Sequence, residues 1–98
     1  MQLIDISAKI NNIVKEYPIN RVGVFGSFSR GDFDQNSDID IVVDLKNHMG
    51  YAFFQLWDEL ETNLQKPVDL LTYSSIMNET KGDLKENFLK EVKWIYET

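Results

Sequence analysis

Apolar residues at Leu3, Ile6, Ile10, Ile13, Val14 and Tyr17 recur every three or four positions, which predicts an amphipathic helix that Pro18 brings to an end. Two short apolar runs, from about Arg21 to Phe25 and from Asp38 to Leu45, read as strands. Helical period returns between about Tyr51 and Leu64, with Phe53, Leu56, Trp57, Leu60 and Leu64 on one stripe. Val68 to Leu71 predicts a third strand, and Leu84, Phe88, Val92, Ile95 and Tyr96 predict a last amphipathic helix. The order αβ(α)βαβα describes an α/β (α+β) chain, and no repeat, low-complexity tract or Pro/Ser-rich linker interrupts it.

The polar positions inside those strands are the informative ones. Asp38 and Asp40 alternate with Ile39, Ile41 and Val43, so both carboxylates leave one face of the second strand, about 7 Å apart along it. Two acids so placed are costly unless a cation joins them, and Mg²⁺ suits them, since it binds through one or two carboxylates plus substrate phosphates. Gly26-Ser27 follows the apolar run Val22-Gly23-Val24-Phe25 as a phosphate-binding loop leaves a sheet edge. Asp69 sits between Val68 and Leu70 in the third strand, facing opposite to both. Taken alone it reads as an edge-strand acid facing water; beside Asp38 and Asp40 it reads as a third carboxylate of one site. Arg30 can reach a phosphate or clamp a carboxylate, and an ion pair with Asp32, Asp34 or Asp38 that shapes the loop is an equal alternative. Ser37 is expected to fasten the turn into the second strand, Gly31 to supply an unusual backbone angle, and Asp44 to lie too far along the strand to share the site.

Composition narrows the chemistry. The 98 residues hold no cysteine and a single histidine, His48, which disfavours zinc ligation and thiol chemistry. No Gly-x-Ser-x-Gly elbow is present, no Gly-Lys-Ser/Thr follows the glycines, and an apolar strand stands where a calcium loop would continue after Asp38. A net charge of −6 opposes direct nucleic-acid binding and points to a protein or small molecule as acceptor. The N-terminal stretch lacks the basic start and long apolar run of a signal peptide, and no segment reaches membrane-span length, so a cytoplasmic protein without membrane contact is expected.

Gly26-Ser27, ten intervening residues and Asp38-x-Asp40 resemble the signature of polymerase-beta-type nucleotidyltransferases. More narrowly, Gly26-Ser27-Phe28-Ser29-Arg30-Gly31 with Ser37-Asp38-Ile39-Asp40 is similar to the minimal nucleotidyltransferase (MNT) proteins, many of them antitoxins encoded beside a HEPN-domain toxin. The likeness extends through Lys66 to Thr72 and on to the closing Glu91 to Tyr96. It implies a polymerase-beta-like core, a mixed sheet of three or more strands backed by helices, with residues 1–98 as a single minimal nucleotidyltransferase domain. It further implies that Asp38, Asp40 and Asp69 are the catalytic and metal-binding carboxylates, Asp69 also taking the proton of the attacking hydroxyl. Gly26, Ser27 and Arg30 become the nucleotide-phosphate ligands, with two Mg²⁺ ions as cofactors and ATP as donor.

By the same resemblance the acceptor is a hydroxyl, a tyrosine in the first instance, of a HEPN ribonuclease toxin that AMP transfer would silence. Two alternatives stand beside it: an antitoxin that acts by binding alone, and a nucleotidyltransferase acting on a small molecule such as an aminoglycoside, whose usual extra helical domain is lacking here. Tyr51 and Phe54 fall off the apolar stripe of their helix and are candidates for a partner surface, with packing under the polar loop or beside the nucleotide an equal alternative and Trp94 a weaker candidate.

Overall fold

The computed structural model describes residues 3–31, 37–78 and 83–98, without the side chains of Leu3 and Leu84. Its elements in chain order are α1 (Leu3–Val14), β1 (Ile19–Phe25), α2 (Ser27–Arg30), β2 (Ile39–Leu45), α3 (Tyr51–Leu64), β3 (Val68–Thr72), α4 (Tyr73–Met77), α5 (Leu84–Glu91) and β4 (Lys93–Glu97). The sheet runs β3-β2-β1-β4, with β2 and β3 parallel and β1 antiparallel to both β2 and β4. The expected mixed sheet backed by helices is present. Among the described residues no helix is long and apolar enough to cross a membrane.

Period-two alternation gives the sheet two covered faces. Val22, Val24, Ile39, Ile41 and Val43 point toward α1 and α3, whose Ile6, Ile10, Leu56, Leu60 and Leu64 close the main core over them. Phe25 and Val42 look the other way, into a smaller cluster with Ile76 of α4 and Phe88 of α5, flanked by Val92 and Trp94. Gly23 lies on that second face, where a β-carbon would stand 2.7 Å from a Val92 methyl and 3.1 Å from both Trp94 and Val42. A bare backbone at this point lets β4 come close.

The boundaries of α3 agree with the sequence pattern, whereas the two ends of the chain differ. α1 stops at Val14, so Tyr17 falls in the turn that follows and donates its hydroxyl to Glu59 on α3 at 2.8 Å. Burial together with that carboxylate pushes the Tyr17 hydroxyl up to about 12. The last amphipathic helix is corrected: α5 ends at Glu91, Val92 turns extended, and Ile95 and Tyr96 belong to β4 instead. Spacings of four, eight and twelve residues from Leu84 satisfy a helical period by coincidence. The Val92 to Tyr96 run is rich in β-branched and aromatic side chains, and the free edge of β1 offers it hydrogen-bonding groups. Ile95 is the extra residue of a bulge, since Val22 pairs with Tyr96 and Gly23 with Trp94.

Candidate active site

The carboxylates meet where β2 and β3 begin. Pairing of these parallel strands sets Asp40 directly beside Asp69, on strands about 4.8 Å apart, with Ile39 beside Val68 before them. Both acids leave the sheet on the α4–α5 face. Asp69 is exposed and Asp40 half-buried, because Val42 and Phe25 cover the sheet behind it. Asp38, one residue before β2, stands exposed at the rim. Thus the structure pairs Asp40 with Asp69 and leaves Asp38 beside them; among the described residues no three acidic or imidazole groups converge into a ready metal cage.

Crowding of negative charge shows in the proton affinity of Asp40. Burial first, then the Asp69 carboxylate and its hydrogen bond, then Asp38 and Glu91, raise its pKa from 3.8 to about 6. A hard cation would relieve that crowding, and an open pair of carboxylates with an acid at the rim fits Mg²⁺, which keeps several waters and shares its ligands with phosphates.

Facing this pair is the turn between β1 and α2. Gly26 has φ 72° and ψ −149°, a conformation that side chains resist, and a β-carbon there would collide with Oδ2 of Asp40. Only a bare backbone lets the turn lie against the carboxylate. Ser29, buried, donates its hydroxyl to the Gly26 carbonyl at 2.8 Å and so braces the turn from within. Ser27 at the head of α2 is half-buried, with no side-chain hydrogen bond among the described residues, and Gly31 closes α2 with φ 82° as its sequence position suggested.

Among the described residues the Arg30 guanidinium lies 2.7 Å from Glu91 on α5, a carboxylate that the sequence reading did not consider. Asp32 and Asp34 fall outside the described residues. Glu91 is a site neighbour that sequence reasoning missed, although an acid on the last turn of a helix opposes the helix dipole and is a signal of another task. Lys66 brings a second cation near the turn, its ammonium 5.8 Å from the Phe28 ring centre. Asp44 lies away from the site as expected, paired with Arg21 at 3.2 Å.

Of the proposed partner surface, Tyr51 and Phe54 are 88% and 63% exposed. Phe54 borders a cavity of about 250 Å³ with Leu45, His48, Met49, Phe53 and Thr72, at the end of β2 remote from Asp38. Trp94 does not belong with them. It packs on Phe88 and Tyr73 and lies under the Arg21 guanidinium at 3.9 Å.

Comparison with known proteins agrees with this geometry. Residues 8–98 match the family model for polymerase beta nucleotidyltransferases. A Methanocaldococcus jannaschii protein named as a candidate protein adenylyltransferase is 40% identical over 74 residues, covering 74% of this chain and 86% of that one. Protein adenylyltransferase MntA of Thermococcus cleftensis is 31% identical over 91 residues, covering 92% of this chain and 88% of its own. Among solved structures, a toxin–antitoxin with AMP-PNP superposes with a TM-score of 0.75 at 25% identity, covering 94% of this chain and 73% of that chain. The fold is shared as well with the MNT antitoxin solved with the tri-AMPylated HEPN toxin of Shewanella oneidensis, at a TM-score of 0.70 and 24% identity, covering 100% and 74%.

Proposed function

This chain belongs to the polymerase-beta nucleotidyltransferase family, and we propose that it transfers AMP from ATP to a hydroxyl, in the first instance a tyrosine, of a HEPN-domain toxin and thereby neutralises it. The observation that carries the reading is the juxtaposition of Asp40 and Asp69 in register, facing a glycine turn too tight for any side chain. The naming of MntA as a protein adenylyltransferase and the AMP-PNP in the similar toxin–antitoxin structure support AMP and ATP as the transferred group and its donor.

In this reading the Gly26 backbone and the Ser27 amide and hydroxyl cradle the β- and γ-phosphates, for which the bare turn leaves room. The Arg30 guanidinium, half exposed beside Glu91 at the end of α2, offers a planar donor to a phosphate oxygen. Asp38, Asp40 and Asp69 would hold Mg²⁺, two ions in the family pattern, which when bound supplies charge neutralisation for the triphosphate and the departing pyrophosphate. The acceptor oxygen attacks the α-phosphorus, the bond from that phosphorus to the bridging oxygen breaks, and pyrophosphate leaves with the electron pair. Asp69, the exposed member of the pair, takes the proton of the acceptor hydroxyl.

The test is direct: incubate the purified chain with its neighbour-encoded HEPN partner, ATP and Mg²⁺, and read the intact mass of the partner. The expected result is a gain of one or more AMP units that requires both ATP and Asp40. A partner of unchanged mass that is nonetheless inhibited would replace transfer by covering.

A further inference from the structure

Both main-chain polar groups of Val68, the residue before Asp69, are held by side chains of a single helix. The Trp57 indole N–H donates to the Val68 carbonyl at 2.6 Å, and the Val68 N–H donates to the Glu61 carboxylate at 2.8 Å. Trp57 and Glu61 stand four residues apart, one above the other on α3, so a single helix face supplies both the donor and the acceptor.

The placement matters because β3 is the edge of the sheet. Its inner side is fixed by β2: the Ile39 N–H donates to the Pro67 carbonyl at 3.0 Å, and the register continues through Ile39–Val68 to Asp40–Asp69. Its outer side would otherwise meet water, and there the α3 clamp takes over at Val68. The strand is gripped from both sides immediately before the Asp69 side chain leaves it. The clamp is itself held, since the Trp57 ring packs edge-on against Phe53 with centroids 6.1 Å apart, and only Gln65, Lys66 and Pro67 connect α3 to β3.

Closing an edge against other strands needs only a charge or a proline, and Lys66-Pro67 already supplies both. A matched donor and acceptor on one residue does something further: it fixes the strand along its own axis and in tilt, the displacements that would carry Asp69 past Asp40. Cation binding between two carboxylates is sensitive to such shifts, because oxygen ligands must lie within tenths of an ångström of their places.

We propose that Trp57 and Glu61 are positioning residues, which hold Asp69 level with Asp40 and so set the affinity of that carboxylate pair for a divalent cation. This inference rests on the reading of Asp69 as a cation ligand given above. The probe is Mn²⁺ alone, titrated without nucleotide into the full chain and followed by the electron paramagnetic resonance of free Mn²⁺, with thermal unfolding recorded on the same samples.

Trp57→Phe keeps the ring and removes the donor; Glu61→Ala removes the acceptor; Glu61→Gln keeps an acceptor oxygen and removes the charge. Trp57→Phe and Glu61→Ala are each expected to weaken Mn²⁺ binding by about tenfold, the lower end of the loss that outer hydrogen-bond partners of metal ligands cause, with Glu61→Gln within about twofold of wild type. Asp69→Asn separates the two levels of the argument. If it binds Mn²⁺ as wild type does, the underlying reading of Asp69 fails. If it binds weakly while Trp57→Phe and Glu61→Ala bind normally and only melt earlier, the clamp merely closes an edge and the positioning role is overturned. Equal losses in Glu61→Gln and Glu61→Ala would also overturn it, by assigning the effect to charge. Should Glu61→Ala fail to fold, Trp57→Phe decides, since its ring packing is retained.

Discussion

At Asp40 the folded chain holds a carboxyl proton up to about pH 6, whereas an unfolded aspartate releases it near 3.8. The folded state therefore binds more protons between these values, and the stability Asp40 contributes is complete below pH 3.8 and lost as pH rises through about 6. Asp40→Asn should melt close to wild type at pH 4 and increasingly above it up to about pH 6.5 in cation-free buffer, after which the gap should level off. Melting curves of both proteins across that range check this; a gap that does not change with pH rejects the crowding of the carboxylates. Adding Mn²⁺ with ATP should raise the wild type selectively and narrow the gap. The turn opposite responds differently. Gly26→Ala puts a methyl group into the Asp40 carboxylate at a backbone angle natural to glycine, and should cost about 1–3 kcal/mol in urea unfolding while nearly eliminating nucleotide transfer. Ser27→Ala, which breaks no hydrogen bond among the described residues, should stay within about 0.5 kcal/mol of wild type and weaken triphosphate use alone. At this scale the sequence was informative because strand parity alone sends Asp40 and Asp69 away from the main core, with Asp38 just before its strand. Arg30 was less legible: its Glu91 partner lies 61 positions away, and no local pattern names a partner at that distance.

Elements whose stripes face one core were readable, and the element that turns from one kind to another was not. α3 is legible from Tyr51 to Leu64 because five apolar residues hold a 3.6-residue period over about three turns. From Leu84 onward the period survives by accident across the break at Val92, and only the need of β1 for a second neighbour makes the tail a strand. The register of β3 on β2 is likewise a long-range fact, since the two strands are joined through α3, and it is this register that sets Asp40 beside Asp69. Trp94 distinguishes the strand from the helix experimentally. In β4 it lies against Phe88, Tyr73 and the Arg21 guanidinium, so Trp94→Ala should lower stability by about 2–4 kcal/mol, slightly under the usual cost of a buried tryptophan because it is half-buried. A loss under about 0.5 kcal/mol in urea unfolding, as an exposed helical tryptophan would give, would be incompatible with the packing around β4.

The whole molecule sets Asp40 and Asp69 at the start of β2 and β3 and the exposed Phe54 beside Leu45 at the far end of β2, about 17 Å along the strand, with the exposed Tyr51 at the start of the same helix as Phe54. A partner docked on those aromatics would therefore leave the carboxylates free to work on another part of it. Were the partner's surface basic, as an RNA-handling toxin's would be, the net charge of −6 would add attraction, and association should weaken as salt rises. Asp69→Asn separates docking from chemistry. The change keeps the shape of an exposed strand side chain, removes one like charge beside Asp40, and leaves both cores untouched, so folding and partner binding should persist. Transfer should fall by several orders of magnitude, since a cation ligand and the acceptor of the hydroxyl proton go together. Co-purification with the toxin, intact mass of the toxin and rescue of growth form one set of measurements on the same variant. Complex formation without mass gain and without rescue is the expected outcome, and it would make modification the neutralising act. Full rescue by Asp69→Asn, at wild-type level and with the toxin unmodified, would instead mean that occupying the toxin surface suffices and that the carboxylates serve some other transfer.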